Sequence, residues 1–149
     1  MIDVERVLRE MTFAFFGAGQ HKTTPAKLLA SRQAVLLDVR SNEENALATF
    51  PLRGLIGYIR IPITEVPERL DEIPKDRTVA VFCSSGPRAC MVYLYLRAKG
   101  YADVRIVEGG YQALMDELKP GKAWARMQTR LSDCGPTPVR KQPSAPGTQ

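Results

Sequence analysis

Apolar positions along the chain follow two alternating patterns, and together they predict a parallel sheet covered by helices. Three short, nearly continuous apolar runs are typical of strands buried on both faces; they lie at residues 35–39, 78–82 and 103–107. Between the last two runs, residues 88–99 have the length of a helix that Gly100 ends. This alternation favours an α/β fold, a parallel sheet with helices on both faces.

Polar residues mark where two of these helices begin. Thr24 followed by Pro25 predicts a helix start, because threonine caps a helix and proline is favoured at its first position. Ser41 and Glu44 have the spacing of a capping box, so the chain is expected to turn directly from the first strand into a helix.

The two ends of the chain differ from its middle. Apolar residues at helical spacing predict an N-terminal amphipathic helix within residues 1–19: Val4, Val7, Leu8, Met11 and Phe15. Residues 132–149 are rich in proline without an apolar period, which predicts a disordered basic tail. Residues 20–131 are then the main domain, with a terminal helix over residues 122–130. Trp124, Met127 and Leu131 mark one face of this helix, which is expected to cap the core, with partner recognition as the alternative.

Length, charge and hydropathy narrow the possible classes of protein. A chain of 149 residues fits one domain. The net charge of +5 comes from residues 119–149, which hold 6 basic and 1 acidic side chains against 15 of each in residues 1–118. A neutral body without a basic stripe does not predict nucleic-acid binding. No apolar run reaches membrane-spanning length, and charges in the first residues argue against a signal peptide, so we expect a cytoplasmic protein.

The three cysteines, Cys83, Cys90 and Cys134, predict neither a disulfide framework nor a metal site. They are few, and they lack the paired C-x-x-C spacing of zinc ligands. Each is therefore either a packing residue or a reactive thiol. No cofactor is implied by any motif in the chain.

Cys83 is the strongest candidate for chemistry. It follows the run at residues 78–82 directly, and four residues separate it from Arg88, at the start of the next helix: Ser84, Ser85, Gly86 and Pro87. A short loop at a helix N-terminus turns backbone N–H groups inward, so a thiolate at its centre is stabilised. The only histidine, His21, lies in a polar segment, so a Cys-His mechanism would depend on it alone. The alternative is that Cys83 is simply a buried thiol at the end of a strand.

Short motifs follow one another in a set order along the chain: Leu37-Asp38-Val39-Arg40, Gly57, Ile61-Pro62, Val81-Phe82-Cys83 with its loop to Arg88, Gly100-Tyr101, Val104 and Glu108-Gly109-Gly110-Tyr111. Through their order and spacing, from about residue 23 to 118, the chain resembles a known family, the single-domain rhodaneses. This resemblance implies a five-stranded parallel sheet. It also implies a sulfurtransferase in which Cys83 takes a sulfane sulfur from a donor such as thiosulfate, becomes a persulfide, and passes the sulfur to cyanide or a thiol.

The resemblance further implies roles for the residues around Cys83. The backbone from Ser84 to Arg88 would hold the persulfide, and the Arg88 side chain would help hold a small anionic sulfur donor. Asp38 is expected to be a structural hydrogen-bond partner at its strand end. For Arg40 two roles are open: anion binding at the mouth of the loop, or a surface ion pair with Glu43 or Glu44.

Two other functions remain open. The basic extension and the extra cysteines favour a slow or non-catalytic persulfide carrier or sensor, acting with a sulfur-relay protein. Phosphatases use a similar loop with five residues between cysteine and arginine. The four found here suit a single sulfur atom better than a phosphate. Gly109 and Gly110 lack the spacing of a dinucleotide-binding motif and predict a tight strand-to-helix turn.

Overall fold

The computed structural model describes residues 3–133 of the chain. Its strands are β1 Lys22–Thr23, β2 Ala34–Asp38, β3 Gly57–Arg60, β4 Thr78–Phe82 and β5 Val104–Val107. Its helices are α1 Val4–Glu10, α2 Phe13–Ala18, α3 Pro25–Ala30, α4 Asn42–Leu47, α5 Pro87–Ala98, α6 Gly110–Glu117 and α7 Pro120–Asp133. Two short 3-10 turns, Ile63–Glu65 and Leu70–Glu72, lie between β3 and β4.

The strands form one sheet in the order β1-β5-β4-β2-β3, and every neighbouring pair is parallel. The expected five-stranded parallel sheet is therefore confirmed. Asp38, the last residue of β2, lies beside Phe82, the last residue of β4. Because parallel strands end at the same edge, the segments that follow β2 and β4 lie next to each other.

Both faces of the sheet are covered, which explains why the central strands are continuously apolar. All five residues of β2 are buried. Successive side chains point to opposite faces, so adjacent strand residues belong to different cores. One core contains Leu37, Val81, Val92, Leu96 and Tyr101. The other contains Leu28, Leu36, Ala80, Phe82 and Leu114.

The predicted helix starts at Thr24 and Ser41 are confirmed. The Thr24 hydroxyl accepts a hydrogen bond from the Lys27 amide, with Pro25 in the first turn of α3. Ser41 and Glu44 complete the capping box of α4 in both directions. No helix within residues 3–133 is long and apolar enough to cross a membrane.

The N-terminal segment contains two helices, so the prediction of a single helix is wrong. The two helices are separated at Thr12, which is the N-cap of α2. Its hydroxyl accepts a hydrogen bond from the Phe15 amide at 3.2 Å. Threonine at such a position competes with the helix for backbone hydrogen bonds and favours a cap. Only Val7 of these two helices is buried, and α1 packs against α5.

The terminal helix is longer than predicted and presents a different face. It includes Ser132 and Asp133, which the sequence assigned to the tail; residues 134–149, with Cys134, lie outside the described residues. Ala123 and Met127 pack against the core, whereas Trp124 and Leu131 are largely exposed. The predicted core-capping role of Trp124 and Leu131 is therefore wrong, because α7 is rotated to bring Ala123 inward.

Candidate active site

Cys83 lies between β4 and α5, and its sulfur points into the loop that joins them. The Gly86 amide donates to Cys83 Sγ at 3.0 Å, and the Ala89 amide donates to it at 3.4 Å. Cys83 is also 2% exposed and belongs to the buried cluster below the sheet edge. The sulfur therefore accepts hydrogen bonds from two backbone N–H groups at the start of α5, which favours negative charge there.

The loop depends on one glycine and one proline. Gly86 has a φ of 110°, in the region that glycine adopts without strain. This conformation turns its N–H toward Cys83. Pro87 then occupies the first turn of α5, where a missing N–H costs no hydrogen bond. Strand, sharp turn and helix start thus follow directly from the sequence Cys-Ser-Ser-Gly-Pro.

The start of α6 holds the same loop from the other side. Gly109 and Gly110 have φ values of 79° and 57°, and they make the predicted tight turn between β5 and α6. The Tyr111 amide donates to the Ser84 carbonyl oxygen at 3.0 Å. A Cβ on Gly110 would lie 2.3 Å from that oxygen, so this close approach requires glycine. No feature of the sequence indicated this second role of Gly110.

Glu44 joins α4 to the cysteine loop. The Ser84 hydroxyl donates to Glu44 Oε1 at 2.9 Å, and both terminal nitrogens of Arg88 donate to the carboxylate, one of them at 2.8 Å. The Ser41 amide donates to Oε2 at 3.0 Å. The sequence indicated Glu44 only as a capping residue or a partner of Arg40. The position of Glu44 explains why it reaches the loop. It lies in the first turn of α4, which follows β2, and β2 is the strand next to β4.

These contacts set the charge at the mouth of the loop. Hydrogen bonds from Arg88 are the main reason that the pKa of Glu44 lies well below its ordinary value. The same carboxylate raises the pKa of Arg88. Both side chains are about one third exposed, so the pair is open to solvent. Arg88, which was expected to help hold an anionic donor, thus forms an ion pair with Glu44.

Asp38 is the structural hydrogen-bond partner that the sequence predicted, but its contacts go to Arg40. Arg40 Nε donates to Asp38 Oδ1 at 3.0 Å and Nη2 donates to Oδ2 at 2.8 Å. The Tyr58 hydroxyl donates to Oδ2 at 2.7 Å. Burial and the charge of Asp38 raise the pKa of Tyr58, so its hydroxyl keeps its proton as a hydrogen-bond donor.

Arg40 is buried, and both roles expected for it are corrected by its position. It is 1% exposed, its Nη2 also donates to Asn45 Oδ1 at 3.0 Å, and its guanidinium lies 4.4 Å from the centre of the Phe50 ring. A surface ion pair with Glu43 or Glu44 is therefore wrong. Anion binding at the loop mouth does not fit these contacts either, because the guanidinium is enclosed and paired with Asp38. Its effect is to fix the carboxyl end of β2.

The remaining candidates lie on the rim of the loop or, for His21, before the start of β1. Ser85 and Pro87 are exposed on its rim, and Cys90 is exposed one residue beyond Ala89. His21 packs against the Phe15 and Phe16 rings, with ring centres 5.5 and 5.1 Å away. His21 is thus partly buried against two aromatic rings, although the segment around it is polar.

Comparison with known proteins identifies the family. The model of the rhodanese-like domain matches residues 24–117. The chain belongs to the rhodanese-like family. A sulfurtransferase of Allochromatium vinosum is 33% identical over 84 residues, which cover 56% of this chain and 74% of the relative. The human thiosulfate:glutathione sulfurtransferase is 33% identical over 104 residues, covering 60% and 86%.

The fold of this rhodanese-like chain also matches solved structures. A rhodanese-like domain protein from Staphylococcus aureus superposes with a TM-score of 0.53 at 32% sequence identity, covering 62% of this chain and 89% of that protein. These relatives support a rhodanese-type sulfur transfer, in agreement with the resemblance seen in the sequence.

Proposed function

We propose that this rhodanese-like chain is an enzyme that moves a sulfane sulfur from a donor such as thiosulfate to cyanide or a thiol, through a persulfide on Cys83. The observation that carries the proposal is the pair of hydrogen bonds from the Gly86 and Ala89 amides to Cys83 Sγ. Two backbone N–H groups at a helix N-terminus stabilise the negative sulfur that each step requires.

The first step is a displacement at sulfur. The Cys83 thiolate attacks the outer sulfur of thiosulfate, a new S–S bond forms, and the S–S bond of thiosulfate breaks. Sulfite leaves with the electron pair of the broken bond. The outer sulfur of the resulting Cys83 persulfide carries the negative charge, and the Gly86 and Ala89 amides beside Cys83 Sγ would stabilise it.

The second step restores the enzyme. The carbon of cyanide, or the sulfur of a thiolate, attacks the outer sulfur of the persulfide and takes it away as thiocyanate or a new persulfide. The electron pair of the broken S–S bond returns to Cys83. Since the sulfur donor leaves before the acceptor reacts, ping-pong kinetics are expected.

The surrounding residues have supporting roles in this proposal. Arg88 faces the loop mouth and would hold the negative end of the sulfur donor. The buried Asp38 and Arg40 pair fixes the strand beside β4 and does not touch the substrate. No other described side chain is assigned the role of a base.

Turnover tests the proposal. The full chain is mixed with thiosulfate and cyanide, and thiocyanate is followed. Cys83→Ser should abolish the reaction, whereas a change at the exposed Cys90 of α5, Cys90→Ser, should retain it. No turnover with any sulfane donor, or full turnover by Cys83→Ser, would refute the proposal.

A persulfide carrier acting on a protein partner is the second candidate. It is favoured by an apolar groove of about 200 Å³ between α5 and the turn after β3, lined by Ile63, Val66, Met91 and Tyr95 among others. Met91 is 64% exposed although it is apolar. This candidate predicts a Cys83 persulfide that small acceptors remove slowly. Because the basic C-terminal extension also favours this candidate, deletion of the residues after Leu131 should abolish binding of the partner.

A further inference from the structure

We infer that Glu44 is a specificity-determining residue that lowers the affinity of the site for highly charged anionic sulfur donors, by pairing with Arg88 at the mouth of the cysteine loop. The inference rests on the proposed sulfur transfer at Cys83. It concerns which sulfur donors the site prefers.

The geometry shows that Glu44 belongs to the loop as much as to its own helix. Its two oxygens accept hydrogen bonds from the Ser84 hydroxyl and from both terminal nitrogens of Arg88. Ser84 follows Cys83 directly, and Arg88 precedes Ala89, whose amide reaches Cys83 Sγ. A unit negative charge is therefore fixed against both ends of the loop that holds the reacting sulfur.

Glu44 determines the net charge at the mouth of the cysteine loop. Arg40 is enclosed with Asp38 and does not reach the mouth, and Arg60 ends β3, on the far side of β2 from β4. Arg88 lies at the end of the cysteine loop itself, where it is the cation that Glu44 neutralises. The attraction left for the anion comes from the backbone N–H groups and the dipole of α5, which carry only partial charge.

A dianion such as thiosulfate is most affected by this arrangement. It is attracted by Arg88 and repelled by Glu44, so the two effects nearly cancel, and its binding to Arg88 competes with the ion pair. A monoanionic donor, such as an aromatic thiosulfonate, experiences half of the repulsion. An uncharged thiol acceptor experiences none. Glu44 therefore favours sulfur donors and acceptors of low charge.

The test compares Glu44→Gln with Glu43→Gln. Both changes remove one negative charge from the first turn of α4, but Glu43 makes no hydrogen bond to the loop, whereas Glu44 makes three. The measurements are KM and kcat for thiosulfate and for an aromatic thiosulfonate, at low salt, with a neutral thiol as acceptor. Melting temperatures check that both variants are folded.

Glu44→Gln should lower the KM for thiosulfate by about ninefold and that for the thiosulfonate by about threefold, since the electrostatic energy doubles with the charge of the donor. The KM of the neutral thiol should stay unchanged. High salt should reduce both effects. Glu43→Gln should leave every KM within about 1.5-fold of the wild type, because its charge is exposed and screened.

A purely structural role for Glu44 gives a different pattern. Loss of positioning would lower kcat by the same factor for both sulfur donors without lowering either KM, and this result would overturn the inference. Equal KM values for the two glutamine variants would overturn it as well. If the wild type forms no persulfide on Cys83 with any donor, the proposed function fails, and that outcome is distinct from either of these.

A double variant keeps the inference testable if Glu44→Gln alone does not fold. Arg88→Gln should raise the KM for thiosulfate strongly, because Glu44 is then unpaired. Adding Glu44→Gln to Arg88→Gln removes one charge of each sign and should return KM to within about twofold of the wild type, as expected for two coupled residues. A double variant as poor as Arg88→Gln would contradict the inference.

Discussion

Replacement of Gly110 by alanine tests whether α6 holds the cysteine loop. Gly110 is the first residue of α6, with a φ of 57°, and an added Cβ would lie 2.3 Å from the Ser84 carbonyl oxygen. To reach the 3.4 Å of an ordinary contact, the two segments would have to separate by about 1 Å. The loop that carries Cys83 would then move away from α6.

The energetic cost has three parts. Alanine in a left-handed conformation costs about 1–2 kcal/mol. Overpacking against the Ser84 carbonyl costs about 1–3 kcal/mol. The hydrogen bond from the Tyr111 amide to the same oxygen contributes about 1 kcal/mol and would be weakened. Together these parts predict that the free energy of unfolding falls by about 2–6 kcal/mol in Gly110→Ala.

Gly100→Ala is the matched control. Gly100 has a φ of 86°, and no atom lies within 4 Å of a Cβ built there, so it has the backbone strain without the clash. It should lose about 1–2 kcal/mol. Urea unfolding gives both free energies, and the rate of persulfide formation on Cys83 measures the effect on the site.

Displacement of reacting groups by about 1 Å can cost about 100-fold in rate, so Gly110→Ala should form the persulfide far more slowly than Gly100→Ala. The reasoning is refuted if the two variants lose the same stability and the same activity. It is also refuted if Gly110→Ala loses stability but forms the persulfide at the wild-type rate.

Two further predictions concern the charged groups beside β4. Asp38→Asn leaves the enclosed Arg40 without its counter-charge, so the free energy of unfolding in urea should fall by about 3–5 kcal/mol; a loss below about 1 kcal/mol would contradict the assigned role. The pKa of Glu44 lies below its ordinary value of 4.5, so its stabilising effect is complete above that pH and is lost as the pH falls toward the folded-state pKa. The stability difference between wild type and Glu44→Gln should therefore be constant from pH 5.5 to 7 and shrink from about pH 4.5 downward in urea titrations; a difference that grows in acid would contradict it.

Local sequence predicted the parts of this fold that depend on neighbouring residues. The three apolar runs matched β2, β4 and β5 within one residue at each end, and the capping box at Ser41 is present. The cysteine loop could be located because its strand end, glycine, proline and helix start are consecutive. These features require no knowledge of how distant segments meet.

Contacts between distant segments could not be predicted in the same way. Glu44 and Arg88 lie 44 residues apart, and their pairing depends on β2 and β4 being neighbours with aligned ends. Arg40 was misassigned because its position at a strand end does not reveal that Asn45, Phe50 and Tyr58 surround its ion pair with Asp38. The contact of Gly110 with Ser84 likewise depends on the order β5-β4 in the sheet.

The central claim is that Cys83 accepts a single sulfur atom at the base of its loop, and the intact mass of the protein after incubation with thiosulfate tests it most directly. The wild type and Cys90→Ser should gain the mass of one sulfur atom, and cyanide should remove it. Cys83→Ser should gain nothing. The account is contradicted if the wild type gains no sulfur from any sulfane donor, or if Cys83→Ser gains it as readily as the wild type.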